Sequence, residues 1–313
     1  MIKPRALRLG DTIGLVSPSS PIKEDPGAEV EKSAAALKAQ GFKVVVDDSC
    51  YAKYGYLSGT DEVRAAGVNR MFADKAVDAV FCLRGGYGTP RILDMIDYET
   101  VRRNPKLFNG YSDITGLHLA FNKMCGLITM HGTMPAYEMT GDFPAFSKES
   151  YLRAITSAEP LGEIINPGGE EIKSLVSGKA QGEIVGGNLS LINATMGTPY
   201  EIDTKGKIFF IEEVGEHTYR VDRMLTQLRL AGKFRDCAGV LLGDFANCDV
   251  EYGDEYGLSL MQVFKDIIVP AGKPVIYNLK AGHCSPKITL PLGVKAMLDA
   301  DSCSLSITEA ALV

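Results

Sequence analysis

The sequence predicts an α/β fold. It places a parallel-sheet domain of the Rossmann or flavodoxin type at the amino terminus and a smaller α/β or β-rich domain at the carboxyl terminus. Strand-like and helix-like segments alternate through the first ~135 residues, as in βαβ proteins. Several strand-like segments are apolar along their whole length, which is typical of parallel strands covered on both faces. A chain of 313 residues is long enough for two domains of ordinary size.

The first half contains five predicted strands, at residues 11–16, 42–46, 79–83, 107–112 and 127–130. Helical spacing follows the first four, at residues 28–39, 61–72 and 90–95 and from Asp113 to Met124. Gly41 stands at a C-cap position, and Thr60 or Asp61 at an N-cap. Ligands in parallel sheets bind beyond the carboxyl ends of strands. The turns at residues 17–20, 84–88 and 111–113 are therefore expected to line one crevice, although the first could be an ordinary proline turn.

Periodicity weakens between about residues 139 and 178, where only a short helix near residues 147–157 is predicted. We interpret residues 1–140 as the first domain, 141–178 as an interdomain segment and 179–313 as the second domain. The second domain has predicted strands at 207–211, 239–242 and 274–277, helices at 219–231 and 258–268, and successive strands within 287–307.

Composition excludes several classes of partner. The net charge is −6 without a basic block, which argues against nucleic acid. No apolar run approaches the ~20 residues that span a bilayer, and the start does not resemble a secretory signal. Seven widely spaced cysteines without C-x-x-C predict a reduced, cytoplasmic protein with neither disulfides nor a zinc site. Metal-binding and phosphate-loop motifs are absent, so no metal or cofactor is predicted.

The run from Leu107 to His118 carries the most information about chemistry. An apolar strand ends at Ser112 and a helical pattern begins on the next residue, which lifts a hydroxyl onto a strand–helix turn. Gly110 lies two residues before the serine, but Ile114 lies two after it, so the G-x-S-x-G spacing is absent. Locally, Ser112 can be a nucleophile or simply an N-cap, and capping is the commoner role.

A nucleophilic serine needs a base. His118 lies on the helix after Ser112 and points away from the turn, which favours a structural role. His131 ends a strand, where it could face the crevice, although a hydrogen bond to a loop is the favoured interpretation. His217 stands in an acidic segment and is expected to be solvated. His283, in a loop of small residues that let its ring project, is the best candidate base.

The candidate orienting acid is Glu212, the first residue beyond the apolar run at residues 208–211. Strand alternation allows only one of Glu212 and Glu213 to point inward. The alternative is that Glu213 and Glu216 are ordinary surface acids.

The segment Arg84-Gly85-Gly86-Tyr87-Gly88 resembles a degenerate dinucleotide loop, although a plain tight turn explains it equally well. Without side chains, Gly85 or Gly86 can bring a backbone N–H close to a substrate oxygen. Together with the N–H of Asp113, it could form an oxyanion hole.

These residues occur together in a known family: the sequence resembles the LD-carboxypeptidases, serine peptidases of the muramoyl-tetrapeptide carboxypeptidase and microcin-immunity group. The resemblance covers nearly the whole chain. The matching segments are Gly10-Asp11-Thr12-Ile13, Ser17-Pro18-Ser19, Arg84-Gly85-Gly86-Tyr87-Gly88, Gly110-Tyr111-Ser112-Asp113-Ile114-Thr115, Gly186-Gly187-Asn188-Leu189-Ser190, Ile211-Glu212-Glu213, Asp222-Arg223-Met224-Leu225, Gly282-His283 and Leu290-Pro291-Leu292-Gly293.

The resemblance implies a Ser–His–Glu triad, with Ser112 as nucleophile, His283 as general base and acid, and Glu212 as its orienter. The family frequently has Glu-Asp where this chain has Glu212-Glu213. The resemblance also implies a site between two domains, a homodimer, and removal of terminal D-alanine from a muropeptide tetrapeptide in cell-wall recycling. Arg84 is a possible cation for the terminal carboxylate, with a structural role equally open.

Two other functions stay open. The microcin-immunity branch cleaves peptidyl or aminoacyl adenylate analogues, and a nucleobase favours aromatic stacking. This chain is compact and lacks tryptophan, which favours the cell-wall branch. The other possibility is a non-catalytic protein that binds a ligand in a two-domain cleft.

Overall fold

A computed structural model describes residues 1–249 and 257–313 of the chain. Its first sheet has six strands in the order β12-β5-β4-β3-β1-β2. They are β1 (Thr12–Val16), β2 (Lys43–Val46), β3 (Ala79–Cys82), β4 (Leu107–Gly110), β5 (Thr129–His131) and β12 (Leu290–Leu292). The first five are parallel, and β12 pairs antiparallel with β5. The order 2-1-3-4-5 of the parallel strands is that of flavodoxin-like sheets, which confirms the predicted fold class.

Helices cover both faces of this sheet, as its apolar strands require. The helices of the described chain are α1 (Pro26–Ala39), α2 (Asp61–Ala73), α3 (Tyr98–Arg103), α4 (Thr115–Ala120), α5 (Ala145–Thr156), α6 (Leu189–Ala194), α7 (Thr218–Leu230), α8 (Lys233–Asp236) and α9 (Leu260–Ile267). Ile13 and Leu15 of β1 pack in one core cluster with α1, whereas Val16 packs in another with α2. The predicted Thr60 cap is confirmed, since its side chain accepts a hydrogen bond from the Val63 N–H.

The second sheet has eight strands in the order β6-β14-β13-β8-β9-β10-β11-β7. They are β6 (Gly162–Ile164), β7 (Lys173–Val176), β8 (Lys179–Asn188), β9 (Ile208–Val214), β10 (Gly239–Ala246), β11 (Val275–Tyr277), β13 (Lys295–Asp299) and β14 (Ser304–Ile307). The central strands β8 to β11 are parallel, and the outer pairs are antiparallel.

Two features of the sheets differ from expectation. The segment predicted to pass between domains supplies β6 and β7, one at each edge of the second sheet. These strands are short and partly exposed, so they carry little periodic signal and form through pairing with distant strands. Conversely, β12 lies in the predicted second domain yet completes the first sheet. The division at residues 140 and 178 stays a prediction.

Candidate functional site

Ser112 stands at a sharp turn beyond the carboxyl end of β4. Its φ is 65°, a left-handed conformation that is uncommon for a residue with a side chain and recurs at functional sites. The chain turns there from extended backbone at Tyr111 into a 3₁₀ turn, Ser112–Ile114, that leads into α4. The Ser112 Oγ lies 2.9 Å from His283 Nε2. The alternative, a serine that caps the following helix, is not what these contacts show.

His283 lies between Ser112 and Glu212. Its Nδ1 is 2.7 Å from Glu212 Oε2. Because a carboxylate only accepts hydrogen bonds, Nδ1–H is the donor there, and Nε2 is left to accept the Ser112 hydroxyl proton. The preceding Gly282 permits this approach: its φ is 115°, and a Cβ there would lie 2.5 Å from Glu212 Oε2. The three predicted triad residues therefore form one hydrogen-bonded chain from the first sheet to the second.

Both acidic residues on β9 are buried, on opposite faces of the strand. Glu212 faces His283, whereas Glu213 accepts hydrogen bonds from Asn188 Nδ2 at 2.9 Å and from the N–H and Oγ of Ser190 at 2.8 and 2.7 Å. Burial raises the pKa of the Glu213 carboxyl, and these hydrogen bonds oppose the rise. The interpretation of Glu213 as a surface acid is wrong, because polar groups of β8 and α6 satisfy it inside the protein.

The glycine loop after β3 lies against the nucleophile. A Cβ on Gly85 would lie 2.9 Å from Ser112 Cβ, and one on Gly86 would lie 2.3 Å from Ser20 Oγ. Arg84 donates from Nη1 to Pro21 O at 2.9 Å, and its guanidinium lies over the Tyr137 ring. These contacts give Arg84 a structural role in joining two loops of the crevice.

Asp113 ties the three predicted crevice turns together. Its fully buried carboxylate accepts hydrogen bonds from Ser19 Oγ at 2.6 Å, Gly88 N–H at 3.1 Å and Thr89 N–H at 2.9 Å. Burial raises the pKa of this carboxyl, and the same hydrogen bonds oppose the rise. Only the Asp113 N–H has a role predicted from the sequence, as an oxyanion donor, whereas its side chain organises the glycine loop.

A polar cluster beside the triad was not found from the sequence. Lys287 Nζ donates to Tyr111 Oη and Glu138 Oε1, both at 2.8 Å, and the Tyr111 hydroxyl also bonds Glu138. Burial, followed by the negative charge of Glu138, raises the pKa of Tyr111 well above its ordinary value. The cluster forms part of the wall of a cavity of about 240 Å³. Its lining residues are Thr133, Tyr137, Glu138, Asp142, Phe143, Pro144, Ser147, Cys284, Ser285 and Lys287.

The remaining histidines differ in their surroundings. His118 is buried and structural, as predicted: its Nε2 lies 2.8 Å from Gly110 O. His131 is also buried, but neither ring nitrogen has a hydrogen-bond partner among the described residues, so the predicted loop hydrogen bond is absent. His217 is half-buried at the start of α7, and its ring stacks on Tyr219.

All seven cysteines are free thiols. In the part of the chain that the structure describes, no cluster of three or more His, Cys, Asp or Glu side chains is arranged to hold a metal ion. No helix in residues 1–249 or 257–313 has the length and apolar character needed to cross a bilayer.

Comparison with known protein families matches both halves of the chain. Residues 13–132 match the LD-carboxypeptidase N-terminal domain, and residues 181–298 match the LD-carboxypeptidase C-terminal domain. A relative from Bacillus subtilis (strain 168), named a probable murein peptide carboxypeptidase, is 44% identical over 95% of this chain and 91% of its own.

Solved structures share the fold over the whole chain. The microcin C7 self-immunity protein MccF, in complex with aspartyl sulfamoyl adenosine, superposes with a TM-score of 0.92 at 26% identity, covering 100% of both chains. The muramoyltetrapeptide carboxypeptidase from Oxalobacter formigenes has a TM-score of 0.82 at 28% identity, covering 96% of this chain and 99% of its own.

Proposed function

This chain belongs to the LD-carboxypeptidase family, and on that premise we propose that it is a serine carboxypeptidase that removes the terminal D-alanine from muropeptide tetrapeptides. The observation that carries the proposal is the hydrogen-bonded chain from Ser112 through His283 to Glu212. A hydroxyl, an imidazole and a buried carboxylate in this order are the components of acyl transfer by a serine nucleophile.

In the first step, Ser112 Oγ attacks the carbonyl carbon of the amide that joins an L-centre to D-alanine. His283 Nε2 takes the hydroxyl proton and then gives it to the leaving amine as the C–N bond breaks. Water, deprotonated by the same nitrogen, then attacks the acyl carbon. The ester bond to Ser112 Oγ breaks, His283 returns the proton to that oxygen, and the shortened peptide leaves. Glu212 holds the ring and stabilises the imidazolium that forms in both steps.

The oxyanion hole is assigned to the backbone N–H groups of Gly86 and Asp113. Neither N–H donates a hydrogen bond to another described residue. Asp113 directly follows Ser112, and Gly86 follows Gly85, which lies against the Ser112 side chain. Such donors stabilise the negative charge of a tetrahedral intermediate, and losing one typically costs ~10²–10³ in kcat.

An exopeptidase also has to recognise the free terminal carboxylate. Gly85 and Arg84 lie on the loop beside Ser112, and the Arg84 guanidinium makes hydrogen bonds through Nη1 and Nε. We assign these two residues to substrate binding. The Arg84 guanidinium N–H groups that are not used in these hydrogen bonds would bind the terminal carboxylate of the substrate.

The decisive experiment compares wild type with Ser112→Ala on a muropeptide tetrapeptide, with released D-alanine as the readout. Wild type should release D-alanine, and the variant should lose the activity by several orders of magnitude while keeping its Tm. Equal rates for the two proteins would refute a serine mechanism. No release by wild type would refute the substrate assignment, and if an aminoacyl adenylate analogue were also left intact, a non-catalytic ligand-binding role would be favoured.

A second candidate substrate is an aminoacyl adenylate analogue. The TM-score of 0.92 to MccF in complex with aspartyl sulfamoyl adenosine favours it, whereas the 44% identity to the murein peptide carboxypeptidase relative favours the muropeptide. A parallel assay with an aminoacyl sulfamoyl adenylate separates the two candidates, because the kcat/KM values of the same enzyme for the two substrates can be compared directly. Faster cleavage of the adenylate would overturn the muropeptide assignment.

We further propose that the protein works in the cytoplasm as a homodimer. Its seven free cysteines are typical of a reducing compartment. Cell fractionation tests the location, and sedimentation velocity tests the dimer; a single species of about 34 kDa, the mass of one chain, would refute the dimer.

A further inference from the structure

The Glu212 carboxylate has a second oxygen that the triad does not use. Oε2 lies 2.7 Å from His283 Nδ1, whereas Oε1 has no hydrogen-bond partner among the described residues. The side chain is fully buried, at 0% exposure. A buried carboxylate oxygen without a donor is unfavourable, so the groups that face Oε1 decide how well the carboxylate is held.

His131 faces this oxygen from the first sheet. Its Nε2 lies 4.0 Å from Glu212 Oε1, and the ring is 1% exposed. Both of its nitrogens are buried without a partner among the described residues. A distance of 4.0 Å is too long for a direct hydrogen bond, but a movement of about 1 Å would bring the pair within the usual range.

Neighbouring strands and rings fix the position of this imidazole. His131 ends β5, where it is in register with Gly110 of β4 and Leu290 of β12. Its ring packs edge-on against Phe210, at 5.2 Å between centroids, and against Tyr111 at 5.8 Å. These neighbours hold the ring within the first sheet, where its Nε2 faces Oε1.

The protonation state of His131 follows from its surroundings. The titratable groups that face it are His118, His283, Lys287, Tyr111 and Glu212. Burial first, and then the positive charges of His118, His283 and Lys287, lower its pKa well below the ordinary value. The ring is thus neutral near pH 7 and carries one N–H.

We propose that His131 is a positioning residue that presents Nε2–H to Glu212 Oε1 and thereby holds Oε2 on His283. This inference rests on the proposed serine-peptidase function and deepens it. His131 does not touch Ser112 and acts only through Glu212. Its removal should therefore slow the chemical step and leave substrate binding unchanged.

The test compares His131→Phe, which keeps an aromatic ring and loses the N–H, with His131→Gln, which offers an N–H donor. For D-alanine release, the Phe variant should lose about tenfold to a hundredfold in kcat with little change in KM, because hydrogen bonds to charged groups are among the stronger ones. The Gln variant should recover part of that loss. In proton NMR, the downfield resonance of His283 Nδ1–H should shift or broaden in the Phe variant only.

His118→Asn is the matched control, because it alters the neighbouring buried imidazole but removes no group that faces Glu212. It should lower the Tm and leave the His283 resonance in place. A folded His131→Phe variant with wild-type kcat and an unchanged resonance would overturn the proposal. Equal losses in the Phe and Gln variants would overturn it too, since packing alone would explain them. If wild type released no D-alanine, the proposed function would fail, while the resonance would still report on the contact.

Discussion

Gly85→Ala tests whether the loop after β3 holds the nucleophile in place. An alanine Cβ at this position would lie 2.9 Å from Ser112 Cβ and 3.2 Å from its Oγ. Gly85 is not among the residues with a positive φ, so the substitution adds a methyl group without backbone strain. Widening the 2.9 Å contact to the usual ~3.5–4.0 Å requires a movement of about 0.6–1.1 Å.

This movement is enough to separate the Ser112 hydroxyl from His283 Nε2, which it now meets at 2.9 Å. A misplacement of about 1 Å at a reacting group can cost roughly 10²-fold in rate. We therefore expect kcat/KM for D-alanine release to fall about a hundredfold. Overpacking should also lower the free energy of unfolding by about 1–3 kcal/mol.

The assay measures D-alanine release from a muropeptide tetrapeptide, beside urea unfolding of the same preparation. Gly168→Ala is the matched control, because a Cβ there meets nothing within 4 Å and the residue is exposed. The control should match wild type in both measurements. A folded Gly85→Ala protein that kept kcat/KM within about twofold of wild type would refute the argument that this loop presses on the nucleophile.

Three further predictions concern groups around the triad. Asp113→Asn should lower kcat/KM about tenfold and the free energy of unfolding by about 1–3 kcal/mol. An asparagine side chain has only one acceptor oxygen, so it cannot accept hydrogen bonds from Gly88 N–H on one side and from Ser19 Oγ and Thr89 N–H on the other. Unchanged kinetics would show that this carboxylate does not position the glycine loop. Lys287→Met should lower the Tm, because it leaves the Glu138 carboxylate without its cation. Adding Glu138→Gln to the same protein should restore part of the lost Tm, and thermal scans of the single and double variants measure both changes. Burial lowers the pKa of His118 to about 4, below the ordinary 6.5 of an unfolded chain, so the unfolded state binds the proton first. The contribution of neutral His118 to the free energy of unfolding is therefore fully present above about pH 6.5 and decreases by up to about 3 kcal/mol towards pH 4. A urea midpoint that stayed constant between these pH values would contradict this prediction.

Much of the first domain follows from local pattern. The strands β1 and β3 are apolar along nearly their whole length and are separated by segments with helical spacing, so neighbouring residues alone indicate a parallel sheet. The parallel order then places the carboxyl ends of those strands at one edge. Hence the crevice turns and Ser112 could be placed before any contact was known.

The sheet partners of the edge strands could not be predicted in the same way. β12 falls within the strands predicted at residues 287–307, but β6 and β12 have only three residues each, and no periodic pattern indicates which strand either one pairs with. Each forms because a distant strand offers it a partner: β14 for β6, and β5 for β12. Such long-range pairing leaves no signature in a short window of sequence.

Glu212 and Glu213 show that local sequence also says too little about burial in the site. Alternation along β9 correctly put Glu212 and Glu213 on opposite faces, but it implied that only one is buried. The other face is also covered, because Asn188 and Ser190 bring polar groups to Glu213. Likewise, Lys287 and Glu138 are 149 residues apart and meet only in the folded chain.

The α/β class and the strand–helix turn at Ser112 follow from local patterns in the sequence, and the resemblance to family motifs implies that Glu212 and His283 pair with this turn. Tertiary structure alone decided how this site is held: which oxygen of Glu212 meets His283, which imidazole faces the other oxygen, and how Asp113 ties the crevice loops to the nucleophile. The physical reason is the separation along the chain over which each interaction acts. Periodicity and capping act over a few residues, whereas a buried polar group is satisfied by whatever distant segment the fold brings within about 3 Å.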